Sequence, residues 1–381
     1  MTSWIHAQFD ELKFKHRMAK ALRKSTPQDP ATPEELDRLV DEQLASWRHA
    51  PPPGSVEAAH ELTRFNAHVS GFVLSIRGTS VRLWPKAKPP AKEPEDEAAR
   101  HERQAFLRRA RFYRAFIEKV LRRNRLRLDL EIGIDVNDLS EDRQAIPIFC
   151  FQKPAGSRRI LLPDVDFFHC KWYLEPADAL SYAEKKVSAV FVGSSTGAQM
   201  TFDMVRSAAT PRLRAATYFI HHPNVDFKIA NAVQCQSKDA KEWMERQPYF
   251  SAPATWSEQL RHRFIISIDG NGAACSRLVR GLRSNSVVIK YESPHALYWF
   301  PALQAGRDFL AVTEESDIER IVAAEQSNDG VHQRVSDAGQ RFADKYLTIG
   351  SVMDYTARLL NAYSALRRGH TQPQGAPRPA H

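Results

Sequence analysis

Nowhere in this sequence does an apolar run approach the ~20 residues that a membrane-spanning helix needs, so none is predicted. The opening segment, MTSWIHAQFDELKFKHRMAK, scatters charge throughout and lacks the apolar core of a secretory signal, which makes a cytoplasmic location the expectation. Cysteine is sparse. Cys150, Cys170, Cys235 and Cys275 stand apart with no CxxC pair, and they are expected as reduced thiols rather than as a disulfide framework or metal site. Zinc-finger spacing and an RNA-binding aromatic signature are also missing, so the formal net charge of +9 does not point to nucleic acid. Anionic small substrates, glycans and membrane surfaces remain as partners for that charge.

What is present suits two domains with a site between them: 381 residues, 43% of them hydrophobic, exceed one ordinary core. Positive charge is densest over 108–127, RRARFYRAFIEKVLRRNRLR, which reads as a helix. Phe106, Leu107, Ala110, Tyr113, Phe116, Ile117, Val120 and Leu121 form its apolar side. Its basic face is either simply solvated or a docking face for an anionic lipid or glycan. Residues 1–25 read as another amphipathic helix, with Trp4, Ile5, Phe9 and Leu12 on one side, packed rather than membrane-bound. Proline-rich breaks follow at 26–33 and 50–54. GFVLSIRGTSVRLW (71–84) reads as a hairpin turning near Arg77-Gly78, and PKAKPPAKEPEDEA (85–98) as a linker.

Beyond the linker, strands and helices alternate. LEIGIDV (130–136), AIPIFCF (145–151), SAVFVG (188–193), FIISID (264–269), SVVIKY (286–291) and RDFLAV (307–312) are the expected strands. Helices are expected near 197–208, 273–284, 294–304, 315–325 and 330–345. This alternation predicts an α/β fold with parallel sheets covered on both faces, and places sites at the carboxyl ends of strands.

Chemistry-bearing residues fall at those ends. Gly193, Ser194 and Ser195 form a small polar turn after SAVFVG, where backbone amides can hold phosphate; the lysine of a P-loop is absent. After FIISID, Gly270 and Ser276 allow close approach of a ligand, and Arg277 sits in the first turn of a helix, against the dipole preference. A cation there makes sense with an anion between it and the amides; alternatively, Arg277 pairs with Glu292. Lys290 and Glu292 close the next strand, where they can add charge and accept ribose hydroxyls. Asp135 and Asp138 close LEIGIDV, and a carboxylate there either deprotonates a hydroxyl or caps a turn. Asp164-Val165-Asp166 is a DxD string, the pattern of metal-dependent sugar transferases.

Taken in order, NDLSEDRQ, FCFQK, LLPDVDFFHCKW, AVFVGSSTG, FIISIDGNGAACSRLVRGLRSNSVVIKYES, ALYWFPALQAGRDFLAV, SDIERIV and GQRFADKYLTIGSVMDYTARLLNAYSAL resemble glycosyltransferase family 90 over roughly residues 130–365. That family includes capsule-associated and lipopolysaccharide-modifying enzymes and is related to protein O-glucosyltransferases. The resemblance implies a GT-B architecture of two Rossmann-like domains facing across a cleft, a UDP-sugar donor, and inverting transfer without a metal or other cofactor. It matches Asp138 to the catalytic carboxylate, Arg277 to the diphosphate-binding arginine, and Gly193, Ser194 and Ser195 to a donor loop. The chain departs from the pattern at Val192, where an arginine is common, and the stretch from Asp269-Gly270 to Arg277 is a residue longer than in some relatives. Asp164 and Asp166 fall in a block that is structural in the family, and are read so here.

The expected domains are a helical and hairpin N-terminal extension with linker (1–98), an acceptor-side domain (99–187), a nucleotide-sugar domain (188–346), a C-terminal helix (347–367) and a disordered tail (368–381). The expected activity moves a hexose or pentose to a hydroxyl of a glycan or glycolipid in lipopolysaccharide or capsule synthesis, with a peripheral contact to an anionic membrane. A non-catalytic anionic glycan- or lipid-binding protein and a metal-dependent DxD transferase are the alternatives.

Overall fold

The computed structural model describes residues 2–24, 30–49, 55–67, 70–85, 97–138, 145–172, 178–273 and 275–369. The stretches 50–54 and 26–29 and most of the linker, of NDLSEDRQ and of the tail lie outside them, as do the side chains of Trp4, Ile5, Phe9 and Cys275. The described residues divide into two compact units. One gathers those within Met1–Thr26, Pro30–His169 and Ile349–His381; the other gathers those within Cys170–Thr348.

The first unit is built on a mixed sheet. Strands Gly71–Gly78 and Ser80–Leu83 make the expected hairpin, with Arg77 opposite Ser80 and Gly78 in the left-handed region at φ +61°. Gly71–Gly78 also pairs along its whole length with Leu128–Asp135, so the hairpin extends the sheet. Ile148–Cys150 and Ile160–Leu161 then add parallel strands. This sheet is therefore not the parallel one that alternation predicts.

Helix Glu97–Arg123 covers it, burying Ala110, Tyr113, Phe116, Ile117, Val120 and Leu121 as expected. Phe112 and Ala115 are buried too, because the helix is flanked by Thr2–Lys24, by Ile349–Gly369 and by the hairpin. Leu107 is 37% exposed rather than packed. In helix Thr2–Lys24 the buried stripe is Phe14, Met18 and Ala21, and Phe14 stacks on Phe112 at 4.2 Å. Leu12 lies roughly 200° around the helix from Phe14 and is 63% exposed, which corrects its assignment to the packed side.

The second unit is a doubly wound, all-parallel five-stranded sheet. Its order is Leu310–Val312, Val287–Tyr291, His262–Ser267, Lys186–Ser194, Val225–Asn231. Alternation along these strands serves two faces. Ala189, Phe191, Phe264 and Ile266 join a core with Leu213, Ile318, Val322 and Val335, whereas Val190, Val192 and Ile265 pack with Ala230 and Leu260 against Trp256.

Helices Cys275–Leu282, Glu315–Ser327 and Gln333–Tyr346 lie where expected. That over 197–208 shrinks to Phe202–Arg206, capped by Thr201, because Gly197 at φ +137° cannot continue a helix. The helix over 294–304 does not form. His295–Ala296 is extended and only Phe300–Ala302 makes a 3-10 turn, because Pro301 lacks an N–H and disfavours helix before it. The next three residues, Leu297, Tyr298 and Trp299, are all buried, which no helical stripe allows. Strand Val225–Asn231 and helices Pro211–Tyr218 and Lys238–Glu245 are additions to the sequence reading.

One buried charge fixes the far edge of this unit. Glu325, fully buried, accepts from Arg263 at 2.7 Å, from the Gly330 and His332 amides at 2.9 and 3.1 Å, and lies 2.9 Å from His332 Nδ1. Burial opposes its ionisation, but these hydrogen bonds win and hold the carboxyl below its ordinary range. Glu325→Gln should cost about 3–5 kcal/mol in chemical denaturation by leaving Arg263 without its buried partner; a loss near zero would mean that the network is not structural.

Candidate functional site

In order of appearance along the chain, the second sheet reads 2-1-3-4-5, so its topological switch point lies between Lys186–Ser194 and His262–Ser267. The loops leaving the carboxyl ends of those strands are Gly193 to Gly197 and Ile268 to Gly272. Two arginines from helix starts lie beside them, Arg212 bridging both loops and Arg277 bonding the strand end just before the first. Arg212, in the first turn of Pro211–Tyr218, donates to Ser194 O and Thr196 Oγ1 at 2.7 Å each and to Ile268 O and Asp269 O at 3.0 Å each. Arg277, in Cys275–Leu282, donates to Gln259 Oε1 at 2.8 Å and to Val192 O at 2.7 Å, with its guanidinium 4.4 Å from the Phe191 ring.

Every one of these acceptors is neutral, and neither arginine has a carboxylate partner among the described residues. Burial, with repulsion from Arg212 and Arg280, pushes Arg277 down to about 9. Burial pushes Arg212 down to about 10, against attraction from Asp269. Two partly desolvated cations that repel each other, beside backbone amides at a switch point, are electrostatically complementary to an anion.

The glycines make room for these cations. A Cβ on Gly193 would stand 2.8 Å from the Phe191 ring and 3.3 Å from Arg277. On Gly270 it would meet Thr196 Oγ1 at 2.3 Å and Arg212 at 2.8 Å. Ser195 Oγ donates to Val233 O and accepts from Val233 N, both at 2.9 Å, and so ties the loop down. Ser194 Oγ accepts from Asn231 at 3.2 Å, and Ser276 lies in the first turn with Arg277. Val192 contributes a carbonyl to Arg277 and a buried side chain to the core.

The alternative of an Arg277–Glu292 pair is not realised: Glu292 is exposed and borders a shallow cavity of about 490 Å³ with Thr313, Asp317 and Arg320. Lys290 is buried over the Phe300 ring, its Nζ donating to Tyr291 O at 3.0 Å; burial lowers its pKa, against Asp269 and Glu292. Sequence reasoning missed Arg212, Gln259 and Thr196. It also missed Asp269, whose carboxylate accepts from Ser293 Oγ at 2.5 Å and lies 3.1 Å from His295 Nδ1. A signal for Arg212 existed: like Arg277, it is a cation in a first turn, directly after a Thr-Pro helix start.

Asp138 belongs to the first unit. Of the two carboxylates closing strand Leu128–Asp135, Asp135 is buried and neutralised by Arg159 at 2.8 Å. Asp138 stays 44% exposed at its side chain, with Arg109 at 4.0 Å. The DxD residues are engaged with protein: Asp166 binds Arg109 at 2.7 Å, and Asp164 Oδ1 accepts the Asp166 amide at 2.9 Å.

Burial, with repulsion from Asp166, pushes the Asp164 carboxyl up to about 7 from 3.8. Between those two values the folded protein holds a proton that the unfolded chain has lost, so this group's contribution falls as pH rises toward 7. Melting temperature should therefore drop between pH 5 and pH 8, and Asp164→Asn should remove much of that drop. An unchanged slope in the variant would exonerate Asp164.

A comparison with curated proteins gave no match. The family model described as glycosyl transferase family 90 matches residues 98–377, a span that takes in the DxD block, Asp138 and the entire two-arginine site. The chain belongs to glycosyl transferase family 90.

Proposed function

We propose that the protein is an inverting GT-B transferase that moves a hexose or pentose from a UDP-sugar to a hydroxyl of a glycan or glycolipid, in lipopolysaccharide or capsule synthesis at the cytoplasmic face of a membrane. The observation that carries this reading is the pair of arginines hydrogen-bonded only to neutral acceptors, Arg212 and Arg277, at the switch point of a doubly wound sheet. A departing nucleoside diphosphate develops charge on its β-phosphate. Guanidiniums already in place, with helix-start amides, supply that stabilisation without a metal. Gly193, Ser194, Ser195, Gly270 and Ser276 line the diphosphate, while Lys290 adds positive charge and Glu292 takes the ribose.

Asp138 acts as general base. Its carboxylate accepts the proton of the acceptor hydroxyl, whose oxygen attacks the anomeric carbon as the bond to UDP breaks and its electrons pass to the phosphate oxygen. Its partial exposure supports this role over Asp135, whose charge is already spent on Arg159. The exposed basic residues of helix Glu97–Arg123, among them Arg108, support a contact with an anionic membrane surface. Engagement of Asp166 by Arg109 gives the DxD alternative no support.

Asp138→Asn should slow sugar transfer by about 10²–10⁴-fold and leave UDP affinity by calorimetry unchanged; a fully active variant would sink the assignment. Arg277→Ala should weaken UDP binding by roughly 10–100-fold, the worth of a charge-assisted hydrogen bond. Equal affinity in that variant would remove Arg277 from the diphosphate site.

A further inference from the structure

We propose that Arg109 is the positioning residue of Asp138, and that the DxD string exists in this chain to hold Arg109. The inference rests on the reading of Asp138 as base. Arg109 leaves helix Glu97–Arg123 and is fastened from three elements. Its Nη1 donates to Val136 O at 3.1 Å, just past strand Leu128–Asp135. Its Nη2 donates to Asp166 Oδ2 at 2.7 Å, and its guanidinium lies 5.0 Å from the Phe151 ring. Asp164 does not touch Arg109 by a hydrogen bond but orders its partner, through the bond from the Asp166 amide.

The groups facing this guanidinium are therefore Tyr113 from its own helix, Asp138 and the Val136 carbonyl from the strand end, Phe151 from the next strand end, and Asp164 and Asp166 from the block after Ile160–Leu161. In the neighbouring pair, Asp135 accepts from Arg159 at 2.8 Å and from the Asn137 amide at 2.9 Å. Tyr113 is spent elsewhere, donating to Pro163 O at 3.0 Å.

Asp138 has fewer constraints. Its backbone carbonyl accepts from Gln152 Nε2 at 3.0 Å, and the cation nearest its carboxylate among the described residues is Arg109, at 4.0 Å. A half-exposed aspartate with one cation beside it among the described residues takes its preferred rotamer from that cation, and Asp164, a like charge, pushes the same way. Here the neighbour cannot move, because the backbone and Asp166 already hold it. The direction of the base is thus inherited from a guanidinium held on its other sides by Val136 O and Asp166, and a fork is needed because a single point charge cannot satisfy all of these at once. Loss of aim in a general base costs rate without costing donor affinity.

The test is a cycle of four proteins: wild type, Arg109→Met, Asp138→Asn and the double variant. Each is assayed for UDP release by hydrolysis of UDP-glucose, UDP-galactose and UDP-xylose, with UDP affinity by calorimetry alongside. Arg109→Met should slow release by roughly 10–100-fold with UDP affinity intact, and should have no further effect in the Asp138→Asn background. Arg109→Lys should recover part of the rate. Equal slowing in both backgrounds, or a wild-type rate in Arg109→Met, overturns the inference while leaving Asp138 as base. A wild-type rate in Asp138→Asn overturns the base reading as well.

A second measurement needs no turnover. Carbodiimide labelling of Asp138, read by peptide mass spectrometry, should be several-fold faster in Arg109→Met and intermediate in Arg109→Lys. Equal labelling in wild type and Arg109→Met overturns the proposal.

Discussion

Repulsion between two buried guanidiniums is the constraint around which the second unit is arranged. Arg212 bridges the two loops and Arg277 reaches the strand end at Val192 from another helix, and each is satisfied by neutral oxygens. Carbonyl dipoles stabilise a cation without cancelling its charge, so the field of both remains available to an incoming anion. That choice explains other residues in turn. Loop carbonyls must face the arginines, so Ser195 ties its loop to Val233 from behind. Gly193 and Gly270 must be small where the guanidiniums pass. Phe191 offers a ring face to both cations, at 4.4 Å for Arg277 and 5.3 Å for Arg212, so even the core side of the site is mildly attractive.

The surroundings of Asp138 in the first unit differ from this. There the arginines nearest the candidate carboxylate have formal counter-ions: Arg159 with Asp135, and Arg109 with Asp166. Of the carboxylates in this group, Asp138 keeps the most access to water, 44% of its side chain being exposed.

Much of the second sheet was legible because its central strands are short, branched and apolar, and buried on both faces; FIISID and SVVIKY can be little else. Val225–Asn231 escaped notice because it is an edge strand, with the exposed Asp226 and the half-buried Lys228 interrupting the apolar run. The false helix over 294–304 came from apolar content alone, without the weight that Pro301 deserved. At the site, Arg277 was visible as a cation misplaced in a first turn. Arg212 sits in an equivalent position but bonds to carbonyls as far as 57 residues away, a relation that no local pattern encodes. The DxD string had the look of a metal motif. Its use by Arg109, also 57 residues distant, is written only in three dimensions.

The helix Ile349–Gly369 belongs to the first unit although the whole second unit precedes it in the chain. It packs on Pro33–His49, where Arg358 binds Asp37 at 2.7 Å, and Tyr355 donates to Leu161 O at 2.8 Å. Synthesis therefore delivers the described residues of the second unit complete, while the first still lacks one of its walls. The apolar strip of Pro33–His49 must wait for some three hundred residues to be added, and during that interval it is a target for chaperones or for premature association. Closure of this last contact is a high-separation event, entropically late by its nature. An unfinished chain would carry the second unit folded before the first, although most of the first unit comes earlier in the sequence.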